Sequence, residues 1–425
     1  MTRQPSSLDW PALLSDLMER AAPLLDEPHL ESMRDGLTSL TPVLILGSLA
    51  LLLRELPLLP WQRMVTEHVW IARWLQALFK LTFGCFSLYV VCAVSLRLAQ
   101  RKAIQPAWPT GLAVLAFGLL TIERLRPALA ARFGPENLVL ALVVALLTVE
   151  ACALSVADAQ ASPETKSTPR EWHPVAIRAL LSLAIVGLAC LARLLPSLTA
   201  FNTLLGLGDH LVSLLSSGPA CVLTEVAHSL LWVLGIDGNL ILGSALQPLL
   251  TGNAVANGLA RWSGQAPRWI YSDLFRIYVV AGGSGTTLPL AIYLSRSRSQ
   301  RLRQAGRENL RAGFFNRNES LIFDTPIIFN PLLAVPFMVV TGLNATVAYV
   351  AHALGWVTPA YIYLPRALPA PLSAWLSTGY DVRALALSIA TWLVIPAIVW
   401  LPFFKVWERR ILLSERLGGD EGTQP

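Results

Sequence analysis

Apolar runs follow one another along this chain with so few residues between them that lipid, not water, must be its main solvent. They fall at about 37–53, 74–96, 108–122, 137–157 and 175–195, then at 211–236, 239–259, 271–294, 321–342, 345–364 and 382–404. Crossing a bilayer takes about 20 apolar residues, so the chain has room for about ten transmembrane helices. Charged residues make up only 14% of the total, against roughly 25% in a soluble domain. A soluble enzyme, a disordered chain and a fibre are excluded. The expected fold is an all-α polytopic integral membrane protein with re-entrant and amphipathic segments.

The net charge of +6 would suit a nucleic-acid partner only if the basic residues formed a groove-binding motif. They do not; most lie between apolar runs, as in a membrane protein that sets its orientation by charge. From Arg296 to Arg317 the chain carries Arg298, Arg301, Arg303, Arg307 and Arg311, with Glu308 as the one acid. The positive-inside rule places this stretch, and the KVWERR tail from Lys405, in the cytoplasm. Arg97, Arg101 and Lys102 point the same way and put the N-terminus inside, although 54–73 and 123–132 also carry three arginines each. Cys85, Cys92, Cys152, Cys190 and Cys221 lie in apolar runs without metal-ligand spacing, and the histidines form no HExxH pair. No metal and no cofactor are expected. Residues 1–36 lack the pattern of a signal peptide.

The chain divides into an amphipathic segment 1–36, an N-terminal membrane half 37–210, a C-terminal half 211–404 and a tail 405–425. The polar loop Ser155–Pro174 separates the halves. The second half is interrupted at GIDGN (235–239), TGNAVANG (251–258), GGSGTT (282–287) and throughout 313–336. Non-helical backbone inside a membrane is tolerated only where protein or water satisfies it, and transporters build their sites from such breaks. The pocket is expected there, with the first half as scaffold or oligomer interface.

The densest polar cluster is GFFNRNESLIFDTPIIFNPLLAVP, residues 313–336, with Asn316, Asn318, Glu319, Asp324 and Asn330 among three prolines. Ionisable groups at membrane depth are functional candidates because desolvating them is costly. The competing reading is a solvated helix mouth in which Glu319 and Asp324 pair with Arg311 or Arg317. Asp237, flanked by glycines, reads equally as a pocket residue or a surface-turn aspartate. Glu225 and His228, one helical turn apart, read as a mutually satisfied pair. Trp232 suits stacking on a sugar ring, although tryptophan is common at membrane interfaces. GGSG lacks the Lys-Ser/Thr of a phosphate loop and reads as a tight turn.

These residues resemble a known family. HLESMRDGLTSLTPVLILGSLALLL (29–53), VALLTVE (144–150), LLWVLGIDG (230–238), GGSGTTL (282–288), FNRNESLIFDTPIIFNPLLAVPF (315–337) and LPFFK (401–405) follow the order of the bacterial phosphotransferase-system IIC subunits. The likeness is to the lactose/cellobiose/diacetylchitobiose branch. It implies a homodimer in the bacterial inner membrane, with both termini cytoplasmic. It also implies uptake of a β-linked disaccharide or similar sugar, whose 6-hydroxyl is phosphorylated by a phosphocysteine on a separate IIB subunit, itself served by IIA. The chain then takes part in phosphoryl transfer without a self-contained active site. Glu319 matches the family's pocket glutamate, which binds the sugar and orients or deprotonates the hydroxyl. Trp232 matches its stacking tryptophan, and Asn318 belongs to the same motif.

The departures cluster at that site. Asp237 stands where the family has a histidine, Ser320 where it has proline, Asp324 where it has glycine, and Arg366 where it has a tryptophan. A potential donor becomes an acceptor at Asp237, and Arg366 offers a cation to Asp237 or Asp324. Three readings follow: a phosphotransferase-system permease with altered sugar specificity, an acidic sugar being one candidate ligand; a permease-derived sensor acting through another domain or partner; and a facilitator of unmodified solute.

Overall fold

The computed structural model describes residues 27–121, 133–161, 172–194, 210–325, 327, 328 and 330–420, and these form helices joined by turns. Residues 1–26, 122–132, 162–171, 195–209 and 421–425 lie outside the description, and with them most of the N-terminal segment and the centre of the Ser155–Pro174 loop.

In chain order the helices are α1 (Pro28–Ser39), α2 (Thr41–Arg54), α3 (Leu59–Glu67), α4 (Val69–Thr82), α5 (Phe86–Arg101), α6 (Ala107–Thr121), α7 (Leu138–Ala161) and α8 (Trp172–Leu194). Then come α9 (Gly218–Val233), α10 (Ser244–Trp262), the short α11 (Arg276–Val279), α12 (Leu288–Ser295), α13 (Gln300–Phe314), α14 (Glu319–Asp324) and α15 (Pro331–Ala353). The last are α16 (Ala370–Ser377), α17 (Val382–Ile389) and α18 (Ile395–Asp420). Among the described residues, Pro28–Arg54, Pro135–Ser155, Pro331–Ala353 and Val382–Arg416 are long and apolar enough to cross a membrane by themselves. The α4–α5 pair, bent by 41°, makes a fifth candidate. The remaining apolar segments are shorter or broken.

Two kinds of core hold the bundle. One gathers Leu44, Phe83, Phe86, Val90, Phe117 and Ala141 from α2 to α7, and reaches Ala254, Val255 and Tyr361. A second collects Val233, Leu294, Leu321, Phe337, Trp400 and Phe404 from the later helices. Polar ties close the ends: Lys102 Nζ and His29 Nε2 lie 2.7 and 2.6 Å from Glu150 Oε1, joining α5, α1 and α7.

Of the interruptions read in the sequence, GIDGN and GGSGTT are non-helical or π-turn backbone. TGNAVANG is not a break; it lies within α10. Gly252 lets Leu138 approach so closely that a Cβ would sit 2.6 Å from its side chain, and Gly258 does the same for Phe83 at 2.5 Å. Asn253 and Asn257 donate to the carbonyls of Tyr271 and Trp269 at 2.8 and 2.7 Å. The small and polar residues that suggest a break are the means by which a continuous helix packs closely and fastens a loop. Conversely, 354–369 is non-helical although the sequence is apolar there.

Candidate functional site

Three irregular segments meet beside α14. The loop 280–287 turns through positive φ at Gly282, Gly283 and Gly285 (78°, 99° and 69°) and at Thr286 (45°). Glycine supplies these conformations without the Cβ clash that other residues suffer. At Gly283 there is a second reason: a Cβ would fall 2.1 Å from Asn318 Oδ1.

Two asparagines hold the loop. The Asn316 side chain accepts from the Gly282 N–H at 2.8 Å and donates to the carbonyls of Arg366 and Leu368 at 3.0 and 2.6 Å. It thereby joins the glycine loop to the 363–369 segment, and its own φ is 61°. Asn318 donates to the Ser284 carbonyl at 2.6 Å and to Thr287 Oγ1 at 2.8 Å. From the other side, Asn344 of α15 donates to Thr286 Oγ1 at 3.2 Å and the Thr391 carbonyl at 2.9 Å. The Trp400 indole N–H reaches the Gly285 carbonyl at 3.3 Å.

This frame presents Glu319 as the first residue of α14. Glu319 is exposed and makes no hydrogen bond or ion pair among the described residues. Ser320 is the second helical residue, where an N–H has no intrahelical partner, so the helix forms without a proline there. Asp324 ends the same helix, but its side chain lies outside the description, as do Pro326 and Phe329. Trp232 packs against the apolar cluster that contains Leu321 and Ile322 of α14. Its indole Nε1 is buried without a hydrogen-bond partner. Asp237 is half-buried in the turn after α9, which begins at Gly235 with φ 77°. Gly238 pins that turn to α9, since a Cβ would lie 2.6 Å from the His228 carbonyl oxygen.

Arg366 finds a partner that the sequence reading did not consider. Its guanidinium is 3.2 Å from Asp273 Oδ1; the Arg366 side chain is 74% exposed, that of Asp273 only 9%. Three residues further on, Arg276 Nε lies 3.0 Å from Oε1 of buried Glu225, which also accepts from the Tyr271 hydroxyl at 3.0 Å. The Glu225–His228 pairing expected from helical spacing is therefore replaced by Glu225–Arg276–Tyr271, with His228 facing the same guanidinium at 3.3 Å. The signal available in the sequence was the pair of charges, Asp273 and Arg276, inside an apolar run.

The structure thus brings Asn318, Glu319 and the Arg366 backbone together through Asn316, and Trp232 to α14 through apolar packing. Asp237 belongs to the adjoining end of α9. No group of His, Cys, Asp and Glu suited to a metal occurs among the described residues. Among the described residues the site is an exposed carboxylate at the start of a short helix, held by an asparagine-fixed loop within a bundle of apolar and broken helices.

Comparison with known proteins narrows the class. Residues 174–341 match the family model described as "Phosphotransferase system, EIIC". The "Putative permease IIC component YwbA" of Bacillus subtilis is 29% identical over 93% of this chain and 94% of its own length. The "Lichenan permease IIC component" of the same organism is 27% identical over 94% and 93%. The crystal structure of ChbC, the IIC component of the N,N'-diacetylchitobiose-specific phosphotransferase system, superposes with a TM-score of 0.83 at 25% identity, covering 95% of this chain and 99% of that one. Along nearly its whole length the chain is similar to membrane-embedded IIC components of the phosphotransferase system.

Proposed function

We propose that this protein is a sugar permease of the bacterial inner membrane, with both termini cytoplasmic, that carries a β-linked disaccharide or derivative. Lichenan and N,N'-diacetylchitobiose, named for two similar proteins, support that substrate class. Translocation is coupled to phosphorylation of the sugar's 6-hydroxyl by phospho-IIB, which is recharged by IIA. The S–P bond of the IIB phosphocysteine breaks, the new O–P bond forms at the sugar oxygen, and the hydroxyl proton passes to Glu319. Phosphoryl transfer is achieved mainly by positioning and charge placement, with a carboxylate as proton acceptor. Trp232, Asp237, Asn318, Asp324 and Arg366 are the proposed sugar-site residues, and the first half provides the homodimer contact.

The observation that carries the reading is Glu319, exposed and without a partner among the described residues, beside a turn fixed by Asn316 and Asn318. Vesicles given phospho-IIB and a panel of neutral and acidic disaccharides test it. Phosphorylated product in the native protein and its loss in Glu319→Gln support a phosphotransfer permease. The departures at Asp237, Ser320 and Arg366 favour a second reading, a permease-derived sensor, which binding without transport or product would support.

A further inference from the structure

The basic helix α13 folds back on α12 as a helical hairpin, and its two ends are tied to the last candidate span. At its N-terminal end Ser297 Oγ and the Arg298 N–H donate to Glu408 Oε1 at 2.5 and 2.9 Å, and Ser299 Oγ donates to Glu415 Oε1 at 2.5 Å. At its other end the Phe314 ring lies 5.5 Å from that of Trp392. Between them Gly306 packs on the backbone of Ser295, and Gly313 on Leu288. Fifteen residues at about 1.5 Å each carry α13 inward by about 22 Å. Trp392 belongs to the candidate span Val382–Arg416 and precedes Lys405, where the basic tail begins. With Val382–Arg416 taken as a span, only the Ser297–Ser299 end of α13 keeps the cytoplasmic position expected for the whole 296–317 stretch, and its far end reaches into a hydrocarbon core of about 30 Å.

Such a helix should be apolar on any face that meets lipid, and this one is not. Leu302, Gly306, Asn309 and Gly313 are buried against protein. Arg301, Arg307 and Arg311 are exposed, as is Arg317 just beyond. Arg307, Arg311 and Arg317 make no hydrogen bond or ion pair among the described residues, and Glu308, the acid on this helix, takes Gln304 at 2.9 Å. Charged groups at membrane depth face water-filled cavities or partners.

We propose that the exposed face of α13 is one wall of a water-filled, positively charged vestibule descending from the cytoplasmic side to Glu319, and that it takes phosphate monoesters. The orientation, and the reason for a phosphate ester to pass here, rest on the function proposed above. Guanidinium groups offer phosphate a planar, two-point donor set that ammonium groups lack, and a cleft lined by one sign of charge concentrates anions. Uptake by phosphorylation leaves an anionic sugar at Glu319 that must exit along this wall.

The test uses the whole protein in inside-out vesicles. The unaltered chain is treated with the water-soluble arginine reagent p-hydroxyphenylglyoxal, with and without glucose 6-phosphate or glucose, and modification is located by mass spectrometry. Arg307 and Arg311 should be modified, with several-fold protection by glucose 6-phosphate and none by glucose. In parallel, Arg311→Cys should react with a membrane-impermeant anionic thiosulfonate several-fold faster than with its cationic analogue. Arg307→Gln should narrow that preference, and Ile398→Cys, on an exposed apolar face of α18, should not react. Unmodified Arg307 and Arg311, or modification indifferent to the phosphate ester, overturns the proposal. These readings do not require transport, so loss of phosphotransfer alone would sink the function proposed above and leave the vestibule standing.

Discussion

The Asn316 side chain accepts a hydrogen bond from the backbone N–H of Gly282 at 2.8 Å, across 34 residues of sequence. With the two bonds it donates to the carbonyls of Arg366 and Leu368, it is the joint of three irregular segments. Removing a partner of a buried polar group costs about 1–3 kcal/mol. Asn316→Ala should lower thermal stability by that order and depress sugar uptake more than sugar binding. Uptake and melting unchanged together would show that the joint is not needed.

Gly283 is constrained twice, by φ 99° and by the Asn318 side chain. Gly283→Ala should therefore be far more damaging than Gly264→Ala, whose φ is 79° but whose added Cβ meets nothing within 4 Å. Size-exclusion profiles and melting curves of the two variants in detergent check the ranking. Equal behaviour would mean the loop relaxes freely.

Breaking one partner of a buried ion pair costs about 3–5 kcal/mol, because the other charge is left uncompensated. Glu225 and Arg276 are such a pair, with side chains 2% and 13% exposed. Glu225→Gln and Arg276→Met should each destabilise strongly, and the double variant less than the sum of the two. Additive losses would remove the coupling. By contrast, the Arg366 side chain is 74% exposed in its pair with Asp273 and loses little hydration there, so Arg366→Gln should destabilise less than Arg276→Met while altering preference among neutral and acidic sugars.

Trp232 carries a buried indole N–H without an acceptor. Trp232→Phe keeps an aromatic face and removes that donor. If a sugar oxygen is the acceptor, affinity should fall about tenfold, close to one hydrogen bond of about 1.4 kcal/mol, with no loss of stability. Unaltered affinity in a calorimetric titration would confine Trp232 to packing.

Local pattern made much of this legible. Apolar periodicity marked the helices, and glycine clusters marked the turn at 235–239 and the loop at 282–287, because positive φ is a local demand. What stayed hidden was tertiary. Glu225 looked like a partner for His228 at one-turn spacing, whereas its partners Tyr271 and Arg276 come from a segment more than 40 residues away. Asp273, which holds Arg366, lies 93 residues before it. TGNAVANG misled because glycine and asparagine serve close helix packing as readily as a break; only Leu138, Phe83 and the 269–271 carbonyls show which.

The most direct measurement is phosphoryl transfer from labelled phospho-IIB to a β-disaccharide in vesicles, comparing the native chain with Glu319→Gln under conditions where both bind the sugar. Loss of phosphorylated product with folding and binding retained is the expected result. Normal turnover in Glu319→Gln would contradict the central claim.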